Sequence, residues 1–495
     1  LKDSTIERQE RMNTKHLPIW ILAAACGGLI SASAQVPFTI QGPNVNPAQF
    51  RITTFATGIN YVLGMEQLSD GSILAAISDG PNYFSSNGRL VRFVDANHDG
   101  VADGPGATLA TGLPGGLTSV RIAGNLVFVT GQKKPITVLR LGATPSAALT
   151  VVGTINLNYP SGSWLHPHSA LGIRPTPNTP QSVDLLFQLG SRENFATTPD
   201  SATVTLSSPQ IAGANGTLKG DSFYKITFTD NGTAVTASGL TQLANGLRNP
   251  AGFAFQPSSG DLYFQDNGID GLVDANEPLS ADELNVIPAA EIGGVVEFFG
   301  FPTNYIEYRT GRVVGGAGVA PLVAFQPLPN PINGEESEGS SDIAFAPPGF
   351  PDGLNNGMFV TFHGKFSLAG TQNEENALVY VDLPGSSYFH FIPSATPGVG
   401  HLDGLLSTTD SLYVSDLSKN GAYSTTGAGV IYQIKSLVGP ALHFQWNNGR
   451  VELTWSHGAL ERATALGDAW TEVAVAPGPY IPQPADTPQF FRTRN

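Results

Sequence analysis

Between about Phe50 and Leu437, short apolar runs of four to seven residues alternate with clusters of Gly, Asp, Asn and Pro. Six runs share one phrase: Ser72-Ile73-Leu74-Ala75-Ala76, Leu126-Val127-Phe128-Val129, Asp184-Leu185-Leu186-Phe187, Asp261-Leu262-Tyr263-Phe264, Gly357-Met358-Phe359-Val360 and Ser411-Leu412-Tyr413-Val414. Each follows a turn, and most are rich in β-branched or aromatic residues, so each predicts a strand. They recur at intervals of about 50 to 95 residues. No stretch sustains an apolar repeat near 3.6, so long helices are not expected. Repeats of four-stranded units at this spacing predict an all-β chain folded as a six-bladed β-propeller over 50–437. A row of β-sandwiches also gives short strands, but without so regular a turn-then-strand phrase.

The rhythm changes between Leu437 and Pro440. The tail, 441–495, carries Leu442-His443-Phe444-Gln445-Trp446, Val451-Glu452-Leu453-Thr454-Trp455, Ala469-Trp470-Thr471-Glu472-Val473 and Phe490-Phe491-Arg492-Thr493. These predict a small C-terminal β-sandwich-like module. Trp446, Trp455 and Trp470 read as its packing core rather than as sugar-stacking faces.

Composition narrows the function. Gly 57 and Pro 37 make the chain turn-rich, while 41% hydrophobic residues still allow a packed core. Net charge is −15, which disfavours phosphate backbones, so no nucleic-acid partner is expected. The single cysteine, Cys26, excludes internal disulfides and Cys-built metal sites. At the front, Met12 precedes Asn13-Thr14-Lys15-His16, an apolar run from Leu17 to Ile30 and Ser31-Ala32-Ser33-Ala34. This predicts a signal peptide over 1–34 with its start at Met12 and cleavage after Ala34. The run is shorter than the ~20 residues a membrane span needs, and lipid anchoring at Cys26 ranks second. The mature chain is then secreted or periplasmic, without a transmembrane span. Removing four cations and three anions leaves it at −16.

The densest chemical signal is Asn245-Gly246-Leu247-Arg248-Asn249-Pro250-Ala251-Gly252-Phe253, followed by Gly260-Asp261-Leu262-Tyr263-Phe264-Gln265-Asp266-Asn267-Gly268, Asp282-Glu283-Leu284-Asn285, Gly293-Gly294 and Gly300-Phe301-Pro302. Further pieces are Ser340-Ser341-Asp342-Ile343-Ala344-Phe345 and the run from Asp403-Gly404-Leu405 to Ser415-Asp416. This ordered set resembles the glucose/sorbosone dehydrogenase family, quinoprotein sugar dehydrogenases on six-bladed propellers, over roughly residues 55–436. The resemblance implies oxidation of an aldose or similar alcohol, with hydride passing to pyrroloquinoline quinone and electrons onward to an external acceptor. It implies that Arg248 and Asn249 contact the quinone, with Arg248 stabilising an oxyanion. It also implies that the carbonyls of Gly268 and Ile269 bind a calcium ion, as hard oxygen ligands suit calcium. The acids that follow, Asp270, Asp274, Glu277, Asp282 and Glu283, read either as a second ion site or as a solvated loop.

The base is expected in Leu165-His166-Pro167-His168-Ser169-Ala170-Leu171, with His168 preferred to His166 on its spacing to the next strand. The chain also departs from the family. Ser191 stands where an acid orients the base. Gly115-Gly116-Leu117 lacks the usual glutamine. The arginines that neutralise the cofactor's carboxylates are missing before the last blade, where Gly400-His401-Leu402-Asp403 stands. Contacts to the cofactor there fall to His401 and, from Phe362-His363-Gly364-Lys365, to Lys365. Two lost charge-assisted pairs weaken cofactor affinity by roughly a few kcal/mol.

One loop stands apart. Asp95-Ala96-Asn97-His98-Asp99-Gly100-Val101-Ala102-Asp103 matches the first half of an EF-hand loop, but position twelve is Gly106. It reads either as a calcium loop through Asp95, Asn97, Asp99 and Asp103 or as a plain Asp/Asn turn. Two rivals to the dehydrogenase reading are a non-catalytic propeller that binds polysaccharide or a surface partner, and a calcium-dependent lactonase.

Overall fold

The computed structural model describes residues 36–494, apart from 86, 199, 272–277, 440–441, 448–449, 456, 466–467, 475–477 and 483–488. The expected signal peptide, Asp274 and Glu277 lie outside the described residues. The described regular structure is strand, with two single-turn 3-10 segments. No helix among the described residues is long and apolar enough to cross a membrane.

The six phrases read from the sequence are the second strands of six antiparallel sheets: Ile73–Asp79, Leu126–Gly131, Ser182–Leu189, Leu262–Asp266, Met358–Phe362 and Ser411–Asp416. Apart from Asp79 at the end of the first, every residue in them is buried. Each is covered on both faces by neighbouring sheets, which is why it reads as a continuous apolar run rather than an alternation. The first strands are Val62–Gln67, Leu117–Ala123, Leu171–Pro175, Pro250–Phe255, Ser340–Phe345 and Leu402–Ser407. Each touches the next in that order, and the last touches the first, so they line one axis. The sixth blade is completed from the other end of the chain. Phe50–Ile59 pairs antiparallel with Gly429–Ser436, Phe50 opposite Ser436. The protein is a six-bladed β-propeller.

Close approach around the axis explains small residues in the first strands. A Cβ on Gly64 would sit 2.5 Å from the Val120 nitrogen, and one on Gly404 would sit 2.1 Å from the Leu63 oxygen. Five of the six first strands also carry a register shift: between Val62 and Met65, Leu117 and Ser119, Ala251 and Phe253, Ser340 and Ile343, and Leu402 and Gly404. Such bulges bend the strand end and re-aim its side chains.

Two insertions account for the uneven spacing of the phrases. Thr203–Ser207 and Asn215–Lys219 leave the third blade and extend the second blade beyond its outer strand Thr150–Asn158. Glu297–Phe298, from the long fourth-blade connection, pairs in parallel with the third blade's outer strand Val235–Asn245. Adjacent blades are thereby stitched at their rims.

The tail forms two small sheets. Leu442–Asn447 pairs with Arg450–Trp455, and Ala459–Ala463 pairs with both Thr471–Ala474 and Phe490–Arg494. Leu453, Trp455 and Leu460 form its buried centre. The Trp455 indole donates to the Gly458 carbonyl at 2.9 Å, and Trp470 lies under the Arg492 guanidinium at 4.3 Å. Both rings are used within the module.

Candidate functional site

A cavity of about 420 Å³ opens at one end of the axis. Its wall comes from the starts of first strands and the ends of second strands: Leu63, Thr118 and Ser119, Ser169 and Ala170, Asn249 and Ala251, Ser340 to Asp342, and Asp403 on one set, with Tyr83 and Phe84, Gln132, Asn267, His363 and Leu417 on the other. All six blades contribute. The bulges described above sit at this end, which is how backbones packed so tightly present polar side chains to one cup.

The cup carries a hydrogen-bonded histidine chain. His363 Nδ1 lies 2.7 Å from Asp403 Oδ1, so the imidazole donates to the carboxylate. Its Nε2 is hydrogen-bonded by the Tyr423 hydroxyl. Ser341 Oγ donates to the same Asp403 oxygen at 2.9 Å. Asp403 Oδ2 is buried at the wall and receives no donor. Burial alone would raise the Asp403 carboxyl. The His363 imidazole, with His401 and Ser341, outweighs it and holds the group below the ordinary carboxylate range. Burial raises the Tyr423 hydroxyl, and Asp403 raises it further. His401 stacks on His363, with ring centres 4.0 Å apart and planes 4° apart. Phe366 stacks on Tyr423 at 4.4 Å.

The floor is an ion pair. Arg121 reaches from the second blade to Asp342 of the fifth, 3.0 Å apart. Arg121 also donates to the Leu171 carbonyl, and the Leu405 amide donates to Asp342. Four blades meet at this contact.

Of the site residues expected from the sequence, Asn249 lines the cup. Its amide donates to Asn267 Oδ1 at 2.7 Å. His168 does not. It is buried, with Nδ1 2.7 Å from the Tyr159 hydroxyl and Nε2 2.5 Å from the Lys134 carbonyl. Both nitrogens are occupied, burial pulls its pKa down to about 4, and its neighbour Ser169 faces the cup instead. Arg248 does not line the cup either. Its guanidinium donates to the Asn194 carbonyl and side chain, to the Asn267 carbonyl and to Asp270.

Gly268 and Ile269 share a separate crevice of about 20 Å³ with Arg248. The Ile269 carbonyl receives the Ser280 amide at 2.8 Å, and Gly268 is held by Asp282 at 2.8 Å. Lys365 pairs with Glu374 and does not line the cup. His401 is fully buried behind His363, with its nitrogens 2.8 Å from the His363 carbonyl and 3.2 Å from the Gly421 carbonyl.

The Asp95 loop turns its oxygens onto its own amides. Asp95 accepts from Asp99 and Gly100, Asn97 accepts from Asp99, and Asp103 accepts from Ala96. No cluster of three or more His, Cys, Asp or Glu placed to hold a metal occurs among the described residues. This loop borders a larger cavity of about 840 Å³. There Arg92 pairs with Asp70 at 2.5 Å and Lys435 with Asp410 at 2.9 Å. Size therefore favours that cavity, but the Asp403–His363–Tyr423 hydrogen-bond chain belongs to the smaller cup.

The sequence reading missed His363, Asp403, Tyr423 and Arg121. A usable signal existed. The wall residues sit where a first strand begins or a second strand ends, and Phe362-His363 is such an end.

Six first strands thus close into one ring with the cup at an end of its axis. No protein-family model matches the chain. A segment of 60 residues is 48% identical to an uncharacterized protein of Borreliella burgdorferi, and spans 12% of this chain and 14% of that protein. The Trichoderma reesei carbohydrate-active enzyme of family AA12, in its iodide structure, superposes with a TM-score of 0.51 at 16% identity over 81% of this chain and 98% of that one. The holo PQQ domain of Coprinopsis cinerea pyranose dehydrogenase gives 0.48 at 14% identity over 80% and 97%. The chain has the propeller fold of the AA12 enzyme.

Proposed function

We propose that this protein is an exported sugar oxidoreductase that binds a sugar in the axial cup and removes a hydroxyl proton through Tyr423, His363 and Asp403. The observation that carries the reading is the aligned Asp403–His363–Tyr423 chain at a cavity walled by six blades. The amides of Gln132, Asn249 and Asn267 and the hydroxyls of Thr118 and Ser341 suit a polyol, whose hydroxyls both donate and accept. As a sugar hydroxyl gives its proton to the Tyr423 oxygen, the tyrosine proton moves to His363 Nε2. The imidazolium formed is balanced by Asp403, which His363 already touches. Export rests on the pattern at Met12 to Ala34.

Oxidation also needs a hydride acceptor, and the resemblance implies pyrroloquinoline quinone with calcium. The residues present do not fit a polycarboxylate. Arg121 is held by Asp342 and Arg248 by Asp270, while Lys365 faces Glu374. No mechanistic step is therefore routed through that quinone. The same observation favours a second reading, a propeller that binds carbohydrate without turning it over.

The test offers purified protein a panel of aldoses with a dye acceptor, with and without added quinone and calcium. Turnover lost in His363→Gln, with sugar binding retained, supports the oxidoreductase. Sugar binding without turnover under every condition transfers the assignment to the binding propeller.

A further inference from the structure

The cup has an aromatic rim on one side only. Among the described residues, the aromatic side chains that line it are Tyr83, Phe84, Phe366 and Tyr423. They stand in the connections that follow the second strands Ile73–Asp79, Met358–Phe362 and Ser411–Asp416. Those strands belong to the first, fifth and sixth blades, which are consecutive around the ring. The amide side chains of the lining, Gln132, Asn249 and Asn267, come from the second and fourth blades across the mouth. Tyr83 is buried, but Phe84 is 52% exposed and Phe366 is 66% exposed. Both of these rings stack on Tyr423, Phe366 with its centre 4.4 Å away and Phe84 with its centre 5.9 Å away. A lone exposed phenylalanine needs no explanation, but two against one tyrosine at a cavity mouth form an apolar patch. The rim is also held in place. The Tyr83 amide donates to the Tyr423 carbonyl at 2.8 Å, which ties the first blade's connection to the sixth's. The Asn373 side chain donates to the Leu368 carbonyl at 3.2 Å and the Gly400 carbonyl at 2.8 Å, and accepts the Lys365 amide at 2.6 Å. These bonds fix the turn that carries Phe366. A platform ordered before binding loses little freedom when it is covered.

From this arrangement we infer that the cup takes the terminal unit of a longer glycan, and that Phe84 and Phe366 form a second subsite on which the adjoining sugar unit lies. The inference rests on the sugar-in-the-cup reading above and names its substrate class. A pyranose has a face of C–H bonds, slightly positive, which packs against the negative face of a phenyl ring. Its hydroxyls project from the ring edge, so they stay in water while the apolar face is covered. Both phenylalanines adjoin Tyr423, whose hydroxyl bonds His363. A unit on the rim is therefore continuous with a unit that presents a hydroxyl to the Tyr423 oxygen. Covering roughly 60 Å² of apolar surface is worth roughly tenfold in affinity.

Calorimetric titration of the whole protein with glucose, maltose, cellobiose and hexyl glucoside tests it. At least one disaccharide is expected to bind roughly tenfold tighter than glucose. It should also show a more negative heat-capacity change, the mark of added apolar burial. Both readings come from unaltered protein. In the double variant Phe84→Ala with Phe366→Ala, which removes two rings mostly open to solvent, the ratio of disaccharide to glucose affinity falls toward one. Disaccharides no tighter than glucose overturn the second subsite and leave the sugar reading in place. A disaccharide advantage that survives the double variant overturns it as well, because the gain then arises elsewhere. Hexyl glucoside outbinding both disaccharides tenfold assigns the rim to an apolar aglycone and overturns the glycan. If none of the four binds while the protein is folded, the sugar reading fails and the subsite with it.

Discussion

The ion pair beneath the cup allows a quantitative test of how the ring is held. Replacing Asp342 with Ala strands a guanidinium whose side chain is 12% exposed, and removes the acceptor of the Leu405 amide. Breaking a buried pair on one side costs about 3–5 kcal/mol. Unfolding entropy of about 2.1 cal/mol/K per residue, over roughly 400 propeller residues, is about 0.8 kcal/mol/K. The melting temperature should therefore fall by about 4–6 °C. The double variant Arg121→Met with Asp342→Leu removes both charges and keeps volume, so its loss should be smaller than that of either single change. Glu66 must be kept neutral in that background. Burial, opposed by Arg121 and reinforced by Asp342, raises its carboxyl to about 7, so melts belong at pH 6. Near-ultraviolet circular dichroism during heating follows the packed core. A single-variant loss under about 1 °C, or a double variant as unstable as the two singles added together, would refute the cross-axis pair as a stabilising contact.

Two further outcomes follow from buried acids. Asp266 accepts the amides of Arg248 at 3.0 Å and Asn249 at 2.6 Å; Asp266→Ala leaves both donors unpaired, at about 1–3 kcal/mol each, and should lower the melting temperature and weaken sugar binding through Asn249, while a melt unchanged within a degree contradicts this. Burial raises Asp266 and Asp416 to about 7 and Glu283 and Glu338 to about 8, so the native state binds more protons than the unfolded one and stability falls as pH rises through 7–8. His168 and His390, both pulled down to about 4 by burial, act with the opposite slope, but only up to about pH 6.5. Melting temperature should thus decline from pH 6.5 to pH 8, and a rise over that interval contradicts the burial of these carboxyls.

The second strands were legible because sheets cover both their faces, which forces an uninterrupted apolar run such as Leu126–Gly131. The first strands were not. They are short, bulged and glycine-bearing, as at Gly64 and Gly404, because backbones crowd the axis. The Arg248 segment was legible as a unit, but its chemistry was not. Only the fold shows Asp266 holding that turn by its amides and Asp270 taking the guanidinium. His168 illustrates the same limit at one-residue resolution. Neighbours along an extended chain point opposite ways, and Ser169 rather than His168 faces the cavity. His363 and Asp403 lie 40 positions apart and belong to different blades, so their meeting is a property of ring closure.

That closure has a seam. Within the propeller, Phe50–Ile59 is synthesised before every other blade strand, yet its partner Gly429–Ser436 comes after them all. Until then the opening strand has no neighbour to complete, and the other five blades form an arc with two bare flanks. Formation of the finished toroid must therefore wait for the whole propeller segment, since contacts this remote in sequence come late and slowly. A circular permutant that begins at Val62 and carries Phe50–Ile59 after Ser436 would turn that late encounter into a local hairpin.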